Sequence, residues 1–361
     1  MATRDATWGY RDRFHESFAR TFYRRYADCL VSSVGVGTYL GDATDEADDR
    51  YRRAVVEALE SGVNVVDTAV NYRHQRSERV VGEALREADV DREAVLVATK
   101  GGFVPFDGER PADPGAYVRE EFVDRGLCGP DDLVCGNCVA PDFVADALDR
   151  SLDNLGLDTV DLYYVHNPET QLEERDRADV YDDLEATFRR LEERRAAGDL
   201  RHYGVATWEC FRVPPDHPSY LSLPEVVRRA RAAAADADVA ATGFRAVQLP
   251  FNVHMADAFT VDAHESAEGP QSALRFAREA GLDVFTSASL RQGDLADGLP
   301  GAVAARLAGD TAAQKAINFA RSAPGVTSAL VGTGSPEHVA ENVAAGTFPP
   351  LGADAFDAVF E

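Results

Sequence analysis

The sequence predicts an α/β fold, a closed (β/α)8 TIM barrel, preceded by a β-hairpin and carrying a long loop after its third strand. Short β-branched runs alternate with longer amphipathic stretches, and this pair repeats eight times. Alternating strands and helices indicate parallel strands joined by helical crossovers, and eight such units close into a barrel. Because such barrels routinely exceed the usual domain size, residues 1–361 are interpreted as a single barrel.

The eight predicted units, each a strand followed by a helix, are SSVGVGT with ADDRYRRAVVEALESG, GVNVVDT with SERVVGEALREA, AVLVATK with PDFVADALDRSLDNLG, TVDLYYVHN with YDDLEATFRRLEERRAAG, LRHYGVAT with LPEVVRRARAAAADA, FRAVQLPFN with PQSALRFAREAG, LDVFTSAS with TAAQKAINFARSA, and VTSALVGTG with SPEHVAENVAAG. The stretch FARTFYRRYADCLVSS before them predicts the hairpin. The alternative is an open doubly wound sheet, which would need a Gly-rich phosphate turn. No G-x-G-x-x-G occurs in the sequence, so the barrel is preferred.

Residues 101–140 form an inserted excursion after the third strand, rich in Gly, Pro and Asp. A connection of this length usually serves as a lid or a binding loop, and we expect it to alter the substrate roof and not the mouth of the barrel. Three cysteines in it, Cys128, Cys135 and Cys138, are either zinc ligands or small side chains that pack the lid. A fourth ligand is not evident, so packing is preferred and no metal is expected.

Acidic residues outnumber basic ones by 62 to 37, which gives a formal net charge of −25. This sign opposes binding to a phosphate backbone, so a nucleic-acid partner is not expected. The acidic residues are spread along the chain, as on a surface adapted to high salt, and a protein active without added salt would contradict that hypothesis.

Neither a signal peptide nor a membrane span is predicted, because the first residues are polar and no run of about 18 apolar residues occurs. A cytoplasmic protein is therefore expected, without a disulfide framework for its five cysteines. A homo-oligomer is left open.

Four reactive side chains follow the ends of predicted strands, where a barrel places its active site. They are Asp67, Tyr72, Lys100 and His166. Taken singly, each has a structural alternative: a loop cap, a packing residue, a surface lysine and a satisfied histidine. Lys100 stands out because it is one of only two lysines among the 37 basic residues. Together the four side chain types are sufficient for proton transfer to a carbonyl group.

The expected chemistry follows from the charges of these groups. Tyrosine has a pKa of about 10, which is high for an acid working near neutral pH. The ammonium of Lys100 would lower the pKa of Tyr72, and Asp67 would supply the counter-charge that a buried ammonium needs. His166 would hydrogen-bond the substrate carbonyl while Tyr72 donates the proton. A metal-dependent hydrolase on the same fold would need paired His and Asp side chains at the strand ends, such as H-x-H, and these are absent.

These motifs resemble the aldo-keto reductase superfamily, over the chain from VSSVGVGTYLG to VAENV. The resemblance implies an NAD(P)H-dependent oxidoreductase that acts on a small carbonyl or alcohol substrate, with Asp67, Tyr72, Lys100 and His166 as its catalytic tetrad. A cofactor-binding sensor or interaction module with little turnover is the competing hypothesis.

The resemblance also implies a set of cofactor contacts along the chain. The residues at the matching positions are Thr38, Tyr39, Asn167, Thr207, Gln248, Leu290, Gln292, Gly332, Thr333, Gly334, His338, Glu341 and Asn342. Among them, Gln248 is expected to hold the nicotinamide carboxamide, since an amide can donate and accept at once. Ser335 as N-cap and Pro336 as first helical residue would present free backbone N–H groups to a phosphate.

The chain departs from the family pattern at four places. Where the family usually has Gly-Val-Ser-Asn after strand five, this chain reads GVAT and ends the motif in Thr207, so the usual hydroxyl and amide partners are changed and Thr207 is expected to supply one of them. Ser287 occupies the position of an aromatic residue that often stacks on the nicotinamide. Gly332 and His338 stand where many NADPH-using relatives carry a lysine and an arginine for the 2′-phosphate. Because these cations are missing, the residues leave the choice between NADPH and NADH open. The resemblance alone favours NADP(H) over NAD(H).

Overall fold

The computed structural model describes residues 1–360, which form twelve strands. In chain order they are β1 Tyr23–Tyr26, β2 Cys29–Ser32, β3 Val34–Gly37, β4 Val65–Asp67, β5 Leu96–Gly101, β6 Val160–His166, β7 Leu200–Ala206, β8 Phe244–Pro250, β9 His264–Ser266, β10 Gly269–Gln271, β11 Asp283–Ser287 and β12 Val326–Gly332. Eight of them pair in parallel as a closed barrel in the order β11-β12-β3-β4-β5-β6-β7-β8, with β8 returning to β11. The predicted barrel and its hairpin, β1 with β2, are thereby confirmed, and the open doubly wound sheet is wrong.

The α-helices are α1 Arg4–Phe14, α2 Asp45–Glu60, α3 Arg76–Glu87, α4 Pro114–Val118, α5 Pro141–Leu155, α6 Arg177–Ala197, α7 Leu223–Asp236, α8 Asp257–Thr260, α9 Ala273–Glu279, α10 Asp294–Asp297, α11 Gly301–Ala304, α12 Ala312–Ser322, α13 Pro336–Ala344 and α14 Ala353–Asp357. Eight of them, α2, α3, α5, α6, α7, α9, α12 and α13, are the crossovers that follow the eight barrel strands. No helix within residues 1–360 is both long and apolar enough to cross a membrane.

The barrel interior is filled by one cluster of buried side chains, and the hairpin contributes to it from the amino-terminal ends of the strands. The members of this cluster are Tyr26, Val31, Val65, Leu96, Ala98, Leu162, Tyr164, Ala206, Ala246, Phe285 and Leu330. Tyr26 lies edge-on to His202, with ring centroids 5.6 Å apart, and to Phe285, at 6.0 Å. The hairpin therefore closes the end of the barrel that lies opposite the predicted site.

The structure adds elements that periodicity does not reveal. Helix α1 precedes the hairpin and buries only Thr7 and Tyr10, so its sequence lacks the apolar stripe from which a helix is predicted. The small antiparallel pair β9–β10 lies between β8 and α9, and the excursion after β5 is partly helical through α4. All are short or polar segments whose stability comes from contacts with the barrel.

The first prediction concerns Tyr26, whose ring plugs the barrel. We expect Tyr26→Ala to lower the free energy of unfolding by about 3–5 kcal/mol, because it leaves a cavity among close-packed side chains. The hydroxyl of Tyr26 is buried without a partner in the described part of the chain, so Tyr26→Phe should cost less than about 1 kcal/mol. Urea unfolding of the two variants tests the pair, and equal losses would contradict the packing role.

Candidate active site

Three of the four predicted catalytic residues lie at the carboxyl ends of adjacent strands. Asp67 ends β4, Lys100 is the penultimate residue of β5, and His166 ends β6. The Nζ of Lys100 donates to Oδ2 of Asp67 at 2.6 Å and to the backbone oxygen of Thr68 at 2.8 Å. Lys100 is completely buried, so these contacts replace the water that its charge loses.

Tyr72 lies in the loop after β4 and completes the group. Its ring centroid is 4.9 Å from Nζ of Lys100, 5.9 Å from the His166 ring and 5.0 Å from the Tyr39 ring. The backbone N–H of Tyr72 donates to the oxygen of Ala69 at 3.0 Å, which fixes the turn that presents the phenol. The structure therefore brings all four predicted residues together.

Three consecutive residues after Tyr72 adopt left-handed backbone: Arg73 with φ 49°, His74 with φ 57° and Gln75 with φ 69°. Such a run costs free energy in non-glycine residues and persists only where the surroundings hold it. Here the Nε2 of Gln75 donates to the oxygen of Phe106 at 3.1 Å, and Arg73 packs over the Tyr51 ring at 5.0 Å. The inserted segment thus helps to fix the turn that carries Tyr72.

Burial and charge set the protonation of the site. Burial would lower the pKa of Lys100, but Asp67 and Tyr72 raise it above its usual value, so the ammonium stays charged. Burial raises the pKa of Tyr72 above its ordinary value, and the charge of Lys100 opposes that effect without reversing it. Lys100 therefore lowers the pKa of Tyr72, as expected, but not enough to bring it below its ordinary value. Desolvation outweighs the cation, and the phenol stays protonated near neutral pH.

His166 is a buried, neutral imidazole. Burial and the nearby charge of Lys100 lower its pKa well below the usual value. Its Nδ1 is enclosed without a hydrogen-bond partner among residues 1–360, whereas Nε2 is not enclosed in this way. An unpaired acceptor costs less here than an unpaired N–H, because it leaves no proton stranded. The Nε2–H tautomer is therefore favoured, and this nitrogen can donate to a carbonyl oxygen.

Several predicted cofactor residues border this tetrad. Gln248, on β8, donates from Nε2 to Oδ1 of Asp67 at 2.7 Å, so its amide also supports the catalytic carboxylate. The hydroxyl of Thr38 donates to the backbone oxygen of Asp67 at 3.3 Å. Thr207 binds the backbone oxygen of Gln248 through its own N–H at 2.8 Å. Asn167 follows His166 with left-handed backbone, and Tyr39 is 58% exposed beside the mouth.

A second group lies where β12 meets α13. Thr333 and Asn342 are buried and bonded to each other, Nδ2 of Asn342 donating to Oγ1 of Thr333 at 3.0 Å. The other members are Gly332, which is exposed, Gly334, against the Tyr51 ring, His338, which is exposed, and Glu341, which is half-buried. Ser335 is the residue before α13, as predicted. Its hydroxyl donates to the Glu337 carboxylate, and it makes no capping hydrogen bond with the backbone N–H groups of the helix. Sequence reasoning missed Glu337, which places a negative charge beside the expected phosphate position.

The loop after β11 carries the remaining predicted contacts. Leu290 is half-buried and Gln292 is exposed with left-handed backbone. Ser287 is half-buried at the strand end and supports Phe251, whose N–H donates to its oxygen at 3.0 Å. Ser289 was missed: its hydroxyl is buried without a partner in the described chain, next to Leu290.

The inserted segment reaches the mouth itself, which corrects the expectation that it alters only the roof. Nδ2 of Asn137 donates to the backbone oxygen of His166 at 2.9 Å, and the Phe103 ring lies edge-on to the imidazole at 5.1 Å. Nothing in the sequence marks Asn137, because its contact is with a backbone oxygen, a group that every residue carries.

The three cysteines of the insertion are distributed between interior and surface. Cys128 and Cys138 are buried, whereas Cys135 is exposed and its Sγ lies 3.3 Å from Oε2 of Glu173. No group of three or more metal-ligating side chains is found within residues 1–360.

A polar cleft of about 290 Å³ opens between the loops that follow β6 and β7, and Asn167, the residue after His166, forms part of its wall. It is lined by Asn167, Glu169, Thr170, Leu172, Glu173, Trp208, Glu209, Pro218 and Ser219. Glu169 braces its wall, since Oε1 accepts from the N–H groups of Trp208 at 2.7 Å and Glu209 at 2.9 Å. The indole of Trp208 is 47% exposed at this opening.

The chain belongs to the aldo/keto reductase family, whose family model matches residues 33–213. That range contains the whole tetrad, whereas Gln248 and the residues around α13 lie beyond it. Among curated relatives, an uncharacterized oxidoreductase, YqkF, of Bacillus subtilis is 28% identical over 185 residues, 50% of this chain and 46% of that protein. An NADH-specific methylglyoxal reductase of Escherichia coli is 30% identical over 144 residues, 38% of this chain and 39% of that protein. The matches thus span less than half the length of these relatives.

Solved structures share the fold over nearly the whole chain. The glycerol dehydrogenase AKR11B4 of Gluconobacter oxydans has a TM-score of 0.64 at 19% identity, covering 95% of each chain. An aldo-keto reductase of Klebsiella pneumoniae in complex with NADPH has a TM-score of 0.59 at 18% identity, covering 92% of this chain and 91% of that one.

The second prediction tests the buried ion pair through stability. Lys100→Met leaves the Asp67 carboxylate buried and unpaired, so we expect the free energy of unfolding to fall by about 3–5 kcal/mol. Adding Asp67→Asn removes the stranded charge and should restore part of the loss. The other lysine of the chain, Lys315, is half-buried and supplies the control, since Lys315→Met should change stability by less than about 1 kcal/mol. Urea unfolding measures all three, and a Lys100→Met variant as stable as the control would contradict the pair.

Proposed function

We propose that this protein is an NAD(P)H-dependent oxidoreductase that transfers a hydride to an aldehyde or ketone, or from the corresponding alcohol, with Tyr72 as general acid or base. The observation that carries the proposal is the position of the Tyr72 ring, 4.9 Å from the Lys100 ammonium and 5.9 Å from the His166 ring. Family membership supports the reaction class, because the matched range contains all four groups.

The proton chemistry follows from the charges in the site. In the reducing direction the carbonyl oxygen becomes an alkoxide, and an N–H from Nε2 of His166 would hold it in place. Tyr72 would donate its phenolic proton to that oxygen. The resulting phenolate would lie beside the buried ammonium of Lys100, which lowers the cost of forming it. Asp67 keeps that ammonium charged throughout.

The residues around the mouth fit a nicotinamide cofactor. Gln248 would bind the carboxamide, together with Asn167 and Thr207. In the loop after β11, the buried, unpaired hydroxyl of Ser289 offers the cofactor a further polar group. The backbone N–H groups at the start of α13 would face a phosphate. When bound, the reduced nicotinamide supplies the hydride.

The substrate proposed is a small carbonyl compound or alcohol that enters through the cleft beside Asn167. The cleft carries the carboxylates of Glu173 and Glu209 at its wall, and its volume of about 290 Å³ suits a small molecule. Two relatives are named for small substrates, the Escherichia coli methylglyoxal reductase and a glycerol 2-dehydrogenase (NADP(+)) of Saccharomyces cerevisiae. They support this size class.

The third prediction tests the role of Tyr72. With NADPH or NADH and a panel of aldehydes, ketones and sugars in high salt, we expect turnover by the unaltered protein. Tyr72→Phe should lower kcat by at least about 100-fold, because the proton donor is lost, while the affinity for the cofactor changes little. Nicotinamide absorbance follows turnover, and cofactor fluorescence follows binding.

A matched control is Tyr23→Phe, which removes a hydroxyl from the hairpin, bonded to the oxygen of Gly62 at 2.8 Å, far from the mouth. Its kcat should be normal. Because the pKa of Tyr72 lies above its ordinary value, kcat/KM for reduction should stay level between about pH 6 and 9 and fall only as pH rises through that pKa. Near-normal kcat in Tyr72→Phe, or an alkaline decline centred near neutral pH, would contradict the assignment.

The competing hypothesis is a sensor that binds the cofactor with little turnover. Four departures from the family pattern favour it, at Thr207, Ser287, Gly332 and His338. The assembled tetrad opposes it. Measurable cofactor binding without loss of nicotinamide absorbance for any substrate would support the sensor.

The fourth prediction concerns the choice of cofactor, for which we propose NADPH over NADH. The Klebsiella pneumoniae structures in complex with NADPH and with NADP support this preference. Glu337 lies in the first turn of α13, and its hydrogen bond with Ser335 lowers the pKa of its carboxyl, so it is charged and would repel a 2′-phosphate. Glu337→Gln should therefore tighten NADPH binding by about two- to fivefold and leave NADH nearly unchanged.

Glu109→Gln is the control for this change, because it removes the same charge from an exposed residue of the inserted segment. Cofactor titrations monitored by fluorescence measure both variants. Equal tightening for NADPH and NADH in Glu337→Gln would place the phosphate elsewhere, and tighter binding of NADH than NADPH by the unaltered protein would overturn the preference.

A further inference from the structure

The two ends of the inserted segment are joined to each other by backbone hydrogen bonds, next to the end of β6. The N–H of Cys138 donates to the oxygen of Gly102 at 2.7 Å, and the N–H of Val104 donates to the oxygen of Gly136 at 2.9 Å. Asn137 lies between these contacts and is completely buried. The insertion therefore presents one polar side chain, in a fixed place, to the strand that carries His166.

The side-chain amide of Asn137 accepts a hydrogen bond from Gln171 and donates one to the backbone of His166. Nε2 of Gln171 donates to Oδ1 of Asn137 at 3.0 Å and to its backbone oxygen at 2.9 Å. That bond fixes which end of the amide is the acceptor, so the Nδ2 group faces the backbone oxygen of His166 at 2.9 Å. Gln171 is itself completely buried, and this chain of hydrogen bonds is shielded from water.

Two further contacts from the insertion hold the same residue. Gly102 has φ 141°, and a Cβ added there would lie 2.9 Å from the oxygen of His166, so the backbones approach each other more closely than any other residue would allow. The Phe103 ring packs edge-on against the imidazole at 5.1 Å. Since Nδ1 of His166 is without a partner in the described structure, the ring orientation depends on these contacts and on Tyr72.

We propose that Asn137 is a positioning residue: it holds the backbone of His166, through the amide braced by Gln171, so that the imidazole faces the substrate carbonyl. The inserted segment is on this account part of the catalytic apparatus as well as a roof over it. The inference rests on the proposed carbonyl reduction, in which His166 orients the substrate.

The kinetic test is a double-mutant cycle on the whole protein. Asn137→Leu should lower kcat/KM for the carbonyl substrate by about 10- to 100-fold, because a misplaced orienting group costs this much, and should leave cofactor affinity within about twofold. In a His166→Ala background the same substitution should lower kcat/KM less than about twofold, since the residue it positions is gone. Equal losses in the two backgrounds would show a merely structural role and overturn the proposal.

Two companion variants keep the test decisive if Asn137→Leu does not fold. Asn137→Asp keeps the size and the acceptor that Gln171 binds but removes the donor to His166, and Gln171→Leu removes the brace. Both should reproduce the kinetic loss, and normal kcat/KM in a folded Asn137→Asp would overturn the proposal. Cys135→Ser, in the same segment but exposed, should have normal activity.

A readout that needs no turnover separates this proposal from the proposed function. The chain has eight histidines, so ring signals of a histidine-labelled sample can be resolved by NMR and that of His166 assigned from His166→Ala. Asn137→Leu should shift the ring signals of His166 and leave those of His202 and His264 in place. If the unaltered protein shows no turnover, the proposed function fails while the NMR comparison still tests the positioning. Unchanged His166 signals would overturn it.

Discussion

Lys100 places an ammonium group inside the mouth of a barrel, where water cannot solvate it and where Asp67 and the oxygen of Thr68 take over that task. An unpaired charge there would cost several kcal/mol, so the ion pair decides whether the site can exist at all. It also decides what the site can do, because the same ammonium lies 4.9 Å from the Tyr72 ring and lowers the cost of a phenolate. A guanidinium is planar and larger, and does not replace a compact ammonium in a site of this shape.

The rest of the structure holds this pair in place from several directions. The strand order brings β4, β5 and β6 side by side, so that Asp67, Lys100 and His166 end adjacent strands. Gln248 reaches Asp67 from β8, and the left-handed turn after Tyr72 is fixed by contacts with the inserted segment. The opposite end of the barrel is closed by Tyr26, whose ring packs among the buried side chains of the interior. Each support is a tertiary contact, so the proton chemistry depends on the whole barrel being closed.

Much of this arrangement is readable in the sequence, and the reason is geometric. The periodicity of strands and helices predicts the eight units. Because the carboxyl ends of barrel strands share one rim, the sequence alone predicts that Asp67, Lys100 and His166 lie together. The net pKa of Tyr72 could not be predicted, because sequence names its neighbours but not its burial, and burial outweighs Lys100. Asn137 was equally hidden, since a hydrogen bond to a backbone oxygen leaves no pattern. Helix α1 and the pair β9–β10 were missed because they carry too few apolar residues to show a period.

The central claim is that Lys100 is a charged ammonium in a buried ion pair, and the chain offers a direct test. It has only two lysines, so labelling of lysine side chains yields two NMR signals, assigned with a Lys315→Arg variant. As pH is raised, the Lys100 signal should remain that of an ammonium to beyond its ordinary pKa of about 10.4, because Asp67 and Tyr72 raise the pKa of Lys100. A Lys100 signal that loses its proton below about pH 9 would show that burial dominates, and would contradict the account.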